Sequence, residues 1–71
     1  MQPTTYRICV RGRLTERLGS AFVEQRMAVE PAATQTALVG VVQDQSQLFG
    51  LLDRVRDLGL ELVSVQPVLP D

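Results

Sequence analysis

Residues 44–66 read DQSQLFGLLDRVRDLGLELVSVQ, and this stretch decides the fold because it contains a complete helix, both helix ends and a following strand. Asp44 with Gln47 three positions later matches a capping box at a helix N-terminus. Gly59 suits the other end, since glycine adopts the left-handed conformation without steric cost. Between these ends the apolar residues recur at helical spacing: Leu48, Leu51, Leu52, Val55 and Leu58. A strand over residues 60–66 follows.

The first half of the chain predicts a similar unit. Residues 6–11 alternate between apolar and polar side chains, which predicts a strand. Gly12 ends this strand, and helical spacing of apolar residues follows over residues 13–22. Alternation over residues 23–30 predicts a second strand that Pro31 ends, because proline cannot donate to a strand ladder. A third strand is expected over residues 34–43.

The predicted order of elements is β-α-β-β-α-β, which is typical of the α+β ferredoxin-like fold. We expect a two-layer sandwich in which a four-stranded antiparallel sheet carries two helices on one face. Right-handed crossovers place the first and third strands at the centre. A length of 71 residues allows one domain, 1–71, with an ordered core of about residues 5–66.

Composition excludes several classes of protein. Apolar residues make up 45% and charged residues 21%, as in globular rather than disordered chains. The net charge of −1 provides no overall attraction to nucleic acid or an anionic membrane, and no stretch reaches the roughly 20 apolar residues of a membrane span. The N-terminus lacks the pattern of a signal peptide. Cys9 is the only cysteine, so we expect no internal disulfide and a cytoplasmic location.

The sequence offers little for catalysis or for cofactors. The chain has no His, so the thiol of Cys9 has no obvious base, and its only cationic neighbours on the same strand face are Arg7 and Arg11. No glycine-rich phosphate loop or metal-ligand spacing occurs, which predicts neither cofactor nor metal. The central strands also lack the aromatic side chains on which RNA bases stack. We therefore expect a protein that is not an enzyme and binds no nucleic acid.

One basic cluster is a candidate ligand site. It lies where the first strand meets the first helix and consists of Arg11, Gly12, Arg13 and Arg17. Guanidinium groups beside a helix N-terminus can bind a carboxylate or a phosphate. The alternative is ordinary surface charge paired with acids such as Glu16.

A second candidate site is an interface. Strands three and four are apolar on both sides, whereas two short helices cover only one face of the sheet. This pattern predicts a homodimer formed by sheet-to-sheet packing or by pairing of edge strands, with a monomer as the alternative. The expected interface residues are Ala37, Val39, Val41, Val63 and Val65.

Residues 44–66, above all Asp44-Gln45, Gly50-Leu51-Leu52 and the run from Asp57 to Val65, resemble the second half of short uncharacterised bacterial proteins from high-GC genomes. More distantly, the chain resembles ACT-type ligand-sensing domains, which share this topology and pair as dimers. That resemblance implies a small molecule bound near the first strand–helix loop, where this chain has Gly12 between two arginines.

Three functions are therefore in view. The first is a non-catalytic homodimeric interaction module that binds a protein partner through its sheet or a strand edge. The second is an ACT-like sensing domain for a small anion. The third is an enzyme that works through Cys9.

Overall fold

The computed structural model describes residues 2–69 and contains six elements in the predicted order. They are β1 (Thr4–Arg11), α1 (Glu16–Val23), β2 (Ala28–Pro31), β3 (Gln35–Val42), α2 (Gln45–Asp57) and β4 (Leu62–Pro67). All neighbouring strands are antiparallel, and their order across the sheet is β2-β3-β1-β4. The α+β ferredoxin-like arrangement is confirmed, with β1 and β3 in the centre.

The N-terminal end of α2 forms as the sequence predicts, with one change. The N–H of Gln47 donates to Oδ1 of the cap residue Asp44 at 2.8 Å. The side chain of Gln47 in turn accepts from the N–H of Gln43 at 2.7 Å, one residue earlier than the usual capping box requires. Two backbone donors near the helix entry are satisfied in this way.

The C-terminal end of α2 is a glycine-centred cap. Gly59 has a φ of 73°, in the left-handed region. Its N–H donates to the carbonyl of Arg56, and the next N–H, of Leu60, donates to Val55. These two bonds define a Schellman motif. Leu60 and Val55 also pack together with the core, so the cap fixes the direction in which the chain leaves the helix.

Both ends of α1 differ from the prediction. Thr15 Oγ1 accepts the N–H of Leu18, so the helix begins at Glu16 rather than at residue 13. It continues to Val23, and residues 24–26 form a turn that closes when the N–H of Met27 donates to the Phe22 carbonyl at 3.0 Å. The prediction of strand over residues 23–27 was therefore wrong, because the helix and its closing turn occupy them.

The hydrophobic core lies between the helices and one side of the sheet, which we call the covered face. On β1 and β3 the even-numbered residues point into it, since Ile8 pairs with Leu38 and both are fully buried. The buried apolar cluster comprises Ile8, Val10, Phe22, Met27, Leu38, Val42, Leu51 and Val55. Within residues 2–69, neither helix packs on the opposite side of the sheet.

Candidate functional site

The side of the sheet that faces away from the helices, the open face, has an apolar centre on two strands. Successive side chains of a strand point to opposite faces, so the neighbours of the buried Ile8–Leu38 pair face outward. These are Cys9 on β1 and, on β3, Ala37 opposite it. Val39 and Val41, further along β3, point to the same side. Val41 is 49% exposed. The structure therefore places Ala37, Val39 and Val41 together on one surface, as their spacing predicts.

An ion pair crosses this open face. Arg7 of β1 approaches Glu30 of β2, with 3.4 Å between Nη1 and Oε1. The strand between them is β3, where Ala37 pairs with Glu30 and Val39 pairs with Arg7. Ala37 is only 4% exposed although it lies on the open face. We attribute this burial to the small side chain of Ala37, over which the two long charged side chains can meet.

The register of β4 places one predicted interface residue on the other face. Ile8 of β1 pairs with Val65, and Val10 pairs with Leu62, so two steps along β1 correspond to three along β4. This β-bulge reverses the parity of the strand. Val65 consequently packs against the core beside Ile8 and does not share the open face with Ala37, contrary to the expected grouping. Val63 is the extra residue at the bulge and is exposed.

The outer edge of β4 carries a second exposed apolar region. Of the large apolar side chains exposed within residues 2–69, several lie on β4 or directly after it: Leu62, Val63, Val68 and Leu69. Leu69 is the most exposed of them, at 74%. The N–H of Val68 donates to the Thr5 carbonyl at 2.7 Å, so the chain still follows β1 beyond Pro67. Leu62 pairs with the buried Val10 and so belongs to the covered side of the sheet, which makes this edge an exposed apolar segment separate from the open face.

The four residues of the predicted basic cluster have separate roles. Arg11 forms an ion pair with Glu61, with 2.8 Å between Nε and Oε2. Gly12 has a φ of 82°, as a turn glycine. Its N–H donates to the Thr34 carbonyl, and its carbonyl accepts from the Thr36 hydroxyl. Arg13 is exposed. Arg17 lies on α1. Within residues 2–69 neither Arg13 nor Arg17 forms an ion pair, and the acid that pairs with the cluster is Glu61 rather than Glu16.

Arg17 lines a shallow groove of about 640 Å³ along α1. The groove is lined by the apolar residues Leu14, Val23 and Val29 and, at the N-terminal end of α1, by Thr15. Thr15 already accepts an amide of the first turn, and Glu16 brings a negative charge to the same turn. Both features oppose an anion at this helix end, because they use the donors and the positive dipole end that would hold it.

Cys9 is a half-buried free thiol at the centre of the open face. Its cross-strand neighbours are Ala37 and Ser64, neither of which is a base. Arg7 and Arg11, the cationic residues on its strand face, both engage carboxylates. No group of three or more metal-ligating side chains occurs within residues 2–69.

Two features of this region were not predicted from the sequence. The Arg7–Glu30 pair depends on strand register, which no local pattern encodes. Thr36 is fully buried, and its hydroxyl donates to the Gly12 carbonyl at 2.7 Å. The polar residue at an inward position of β3 was the available signal for that bond, since buried hydroxyls are normally hydrogen-bonded. The Thr36–Gly12 bond ties the beginning of β3 to the turn before α1.

Comparison with known proteins adds a family and no function. Among residues 2–69, no helix has both the length and the apolar character needed to cross a membrane. No curated protein and no solved structure matches the chain significantly. One family model, described as a domain of unknown function (DUF8691), matches residues 5–66, which include every strand and helix except the first residue of β1 and the last of β4. The chain therefore belongs to the DUF8691 family.

Proposed function

We propose that this protein is a non-catalytic interaction module that works as a homodimer. The observation that carries the proposal is the exposed apolar surface that the sheet has in two places: the edge of β4, where a second copy can pair, and the open face, where a protein partner can bind. Val39 and Val41 are exposed or half-exposed on that face, and Leu62 and Val63 are exposed near the edge. A second copy is the partner that is always present at the same concentration.

The free energy available from covering this surface is sufficient for association. Burial of apolar surface contributes about 25 cal/mol per Å², so covering a few valine and leucine side chains is worth several kcal/mol. A domain of this size has a total stability of the same order, roughly 5 kcal/mol. Dimerisation would thus contribute to the stability of the fold.

The proposal that the protein is not an enzyme rests on the surroundings of Cys9. A reactive thiolate requires a base or a cation to stabilise it, and the nearby arginines are already engaged by Glu30 and Glu61. Alkylation of Cys9 at neutral pH is expected to be no faster than that of free cysteine. A markedly faster reaction would favour an enzyme instead. The free thiol also suits the reducing cytoplasm, where we place the protein.

Sedimentation of the full chain tests the homodimer. We expect a species with twice the chain mass of 7.8 kDa at micromolar concentration, dissociating on dilution. A species of 7.8 kDa at every concentration up to hundreds of micromolar would contradict the proposal. Cross-linking from cell extract then asks whether a different protein joins the dimer through the open face.

A second candidate function is an ACT-like sensor of a small anion. The side chains of Arg13 and Arg17 favour it, whereas Thr15 and Glu16 oppose an anion at the helix end itself. Arg13 and Arg17 form no ion pair within the described residues, so their guanidinium groups are available to a carboxylate or phosphate. A thermal-shift screen of amino acids, nucleotides and carboxylates tests this function. Any stabilising compound should lose its effect in Arg17→Ala and in Arg13→Ala but keep it in Arg54→Ala, an exposed arginine of α2.

A further inference from the structure

We infer that two copies of this chain join edge to edge through β4, in antiparallel register about Val65. This inference rests on the proposed homodimer and specifies its geometry. The result is a continuous eight-stranded sheet with both open faces on the same side. Hydrogen bonding, side-chain polarity and charge each support this arrangement independently.

The first support is the direction of the backbone groups of β4. The N–H of Val68 donates to Thr5, which makes Thr5–Val68 a hydrogen-bonded pair. In an antiparallel ladder hydrogen-bonded and non-hydrogen-bonded pairs alternate. The pairs Arg7–Gln66 and Cys9–Ser64 are therefore hydrogen-bonded, whereas Ile8–Val65 is not. It follows that the N–H and C=O of Val65 point away from β1, toward the outer edge.

The second support is the polarity of the sequence around Val65. Residues 62–68 read LVSVQPV, and this order of apolar and polar residues is the same in both directions. A twofold axis at Val65 sets each residue against its counterpart in the partner. Ser64 then faces Gln66 of the second copy, and the apolar pair at the bulge, Leu62 and Val63, faces Pro67 and Val68. Apolar side chains meet apolar ones, and polar meet polar.

The third support is charge. Residues 62–69 contain no ionisable side chain, so two copies can align without like-charge repulsion. Glu61, just before this segment, is neutralised by Arg11. The other edge strand, β2, is less suitable. It has four residues, and self-pairing would bring two copies of Glu30 to the same interface.

Pro67 limits the extent of the pairing and does not prevent it. Its outward position lacks an N–H, so the pair that it forms with the partner's bulge loses one hydrogen bond on each side of the axis. The central pair at Val65 keeps both of its bonds. An isologous contact of this kind closes on itself, so it yields a dimer and not a fibre.

Disulfide trapping tests the register. In a Cys9→Ala background, one variant carries Ser64→Cys and another carries Gln66→Cys. Positions 64 and 66 of opposite copies would form a non-hydrogen-bonded pair with Cα atoms about 4.5 Å apart, within the range for a disulfide. Diamide, which accepts the two electrons and two protons of the thiols, should cross-link the mixture of both variants. Either variant alone should cross-link several-fold less, because like positions lie farther apart.

The outcomes separate the two levels of the proposal. If the Cys9→Ala parent sediments as a dimer and the mixture cross-links no better than the single variants, pairing through β4 is overturned while the homodimer stands. If the parent is a monomer, both are overturned. Hydrogen exchange of the unmodified chain gives an independent measurement: the amide of Val65 should exchange at least tenfold more slowly as concentration rises. Exchange at Val65 that is independent of concentration in a sedimenting dimer would also refute the register.

Discussion

The two faces of one strand, β3, show how this small sheet divides its tasks. Thr36, Leu38 and Val42 point to the covered face and are fully buried, whereas Val39 and Val41 point to the open face and remain accessible. Both sets are largely apolar and alternate along the same eight residues. The difference arises from the helices, which pack on one side only. We therefore expect the covered face to determine the stability of the chain and the open face to influence its associations.

The largest contrast should come from truncating adjacent residues on the two faces. Leu38→Ala removes a fully buried side chain from the core and should destabilise the fold by about 2–5 kcal/mol. Val39→Ala removes a half-exposed side chain and should cost less than about 1 kcal/mol. Urea denaturation of both variants, at a concentration where the chain is dissociated, measures the difference. Equal losses would mean that the open face is already covered in the folded monomer.

The next contrast concerns two glycines. A Cβ added at Gly40 would lie 2.5 Å from the Met27 sulfur and 2.9 Å from the Arg26 carbonyl oxygen. The sulfur can move, but the carbonyl belongs to the backbone, so Gly40→Ala should destabilise the chain by about 1–3 kcal/mol. Gly50 lies on the exposed surface of α2 with no atom near its added Cβ.

Gly50→Ala is thus the matched control and should stabilise α2 by about 0.5–1 kcal/mol. Thermal melts of the two variants should move in opposite directions. A melting temperature for Gly40→Ala at or above that of the original chain would show that residues 26–27, which precede β2, can move away from β3, and that the close packing there is not required.

A smaller effect is expected at the buried hydroxyl of Thr36, on the covered face. Thr36→Val keeps the shape of the side chain but leaves the Gly12 carbonyl without its donor, at a cost of about 1 kcal/mol. Thr36→Ser keeps the hydroxyl and separates loss of the hydrogen bond from loss of a methyl group. Chemical denaturation distinguishes them. A Val variant as stable as the original would show that the Gly12 turn is held by its backbone bond to Thr34 alone.

The sequence predicts the second half of this fold better than the first because its signals are local there. Asp44 and Gly59 have the side chains, or the lack of one, that helix ends require, and both ends form where expected. The corresponding left-handed position after α1 is held by Arg26, with a φ of 63°. An L side chain disfavours this conformation by about 1–2 kcal/mol, so nothing in the sequence marks the helix end, and the alternation that follows suggests a strand too early.

The candidate site was also predictable only where the signal is local. The parity of Ala37, Val39 and Val41 follows from one uninterrupted strand. The position of Val65 does not, because the bulge between Leu62 and Ser64 is set by register against β1. The Arg7–Glu30 pair joins strands that are not neighbours, and it requires a small residue on the strand between them. Both features depend on long-range pairing, which periodicity within a single segment cannot reveal.

The smallest expected effect concerns the Arg7–Glu30 ion pair. Its loss should cost the fold far less than truncation of a core residue on the covered face. The side chains of Arg7 and Glu30 are 47% and 53% exposed, so water and salt screen their attraction. Pairs of this kind contribute about 0–1 kcal/mol to stability. A double-mutant cycle with Arg7→Gln and Glu30→Gln should therefore give a coupling energy below about 0.5 kcal/mol, falling further at 1 M salt.

Self-association supplies a second measurement for the same variants. In the β4 arrangement the open face stays uncovered, so breaking the Arg7–Glu30 pair should leave the dimer dissociation constant within about twofold, a change of roughly 0.4 kcal/mol. In a sheet-to-sheet dimer the pair would be desolvated, and removing one charge would leave the other buried without its partner, at a cost of about 3–5 kcal/mol. A large loss of dimer in Arg7→Gln, recovered in the double variant, would therefore move the interface from the edge to the open face.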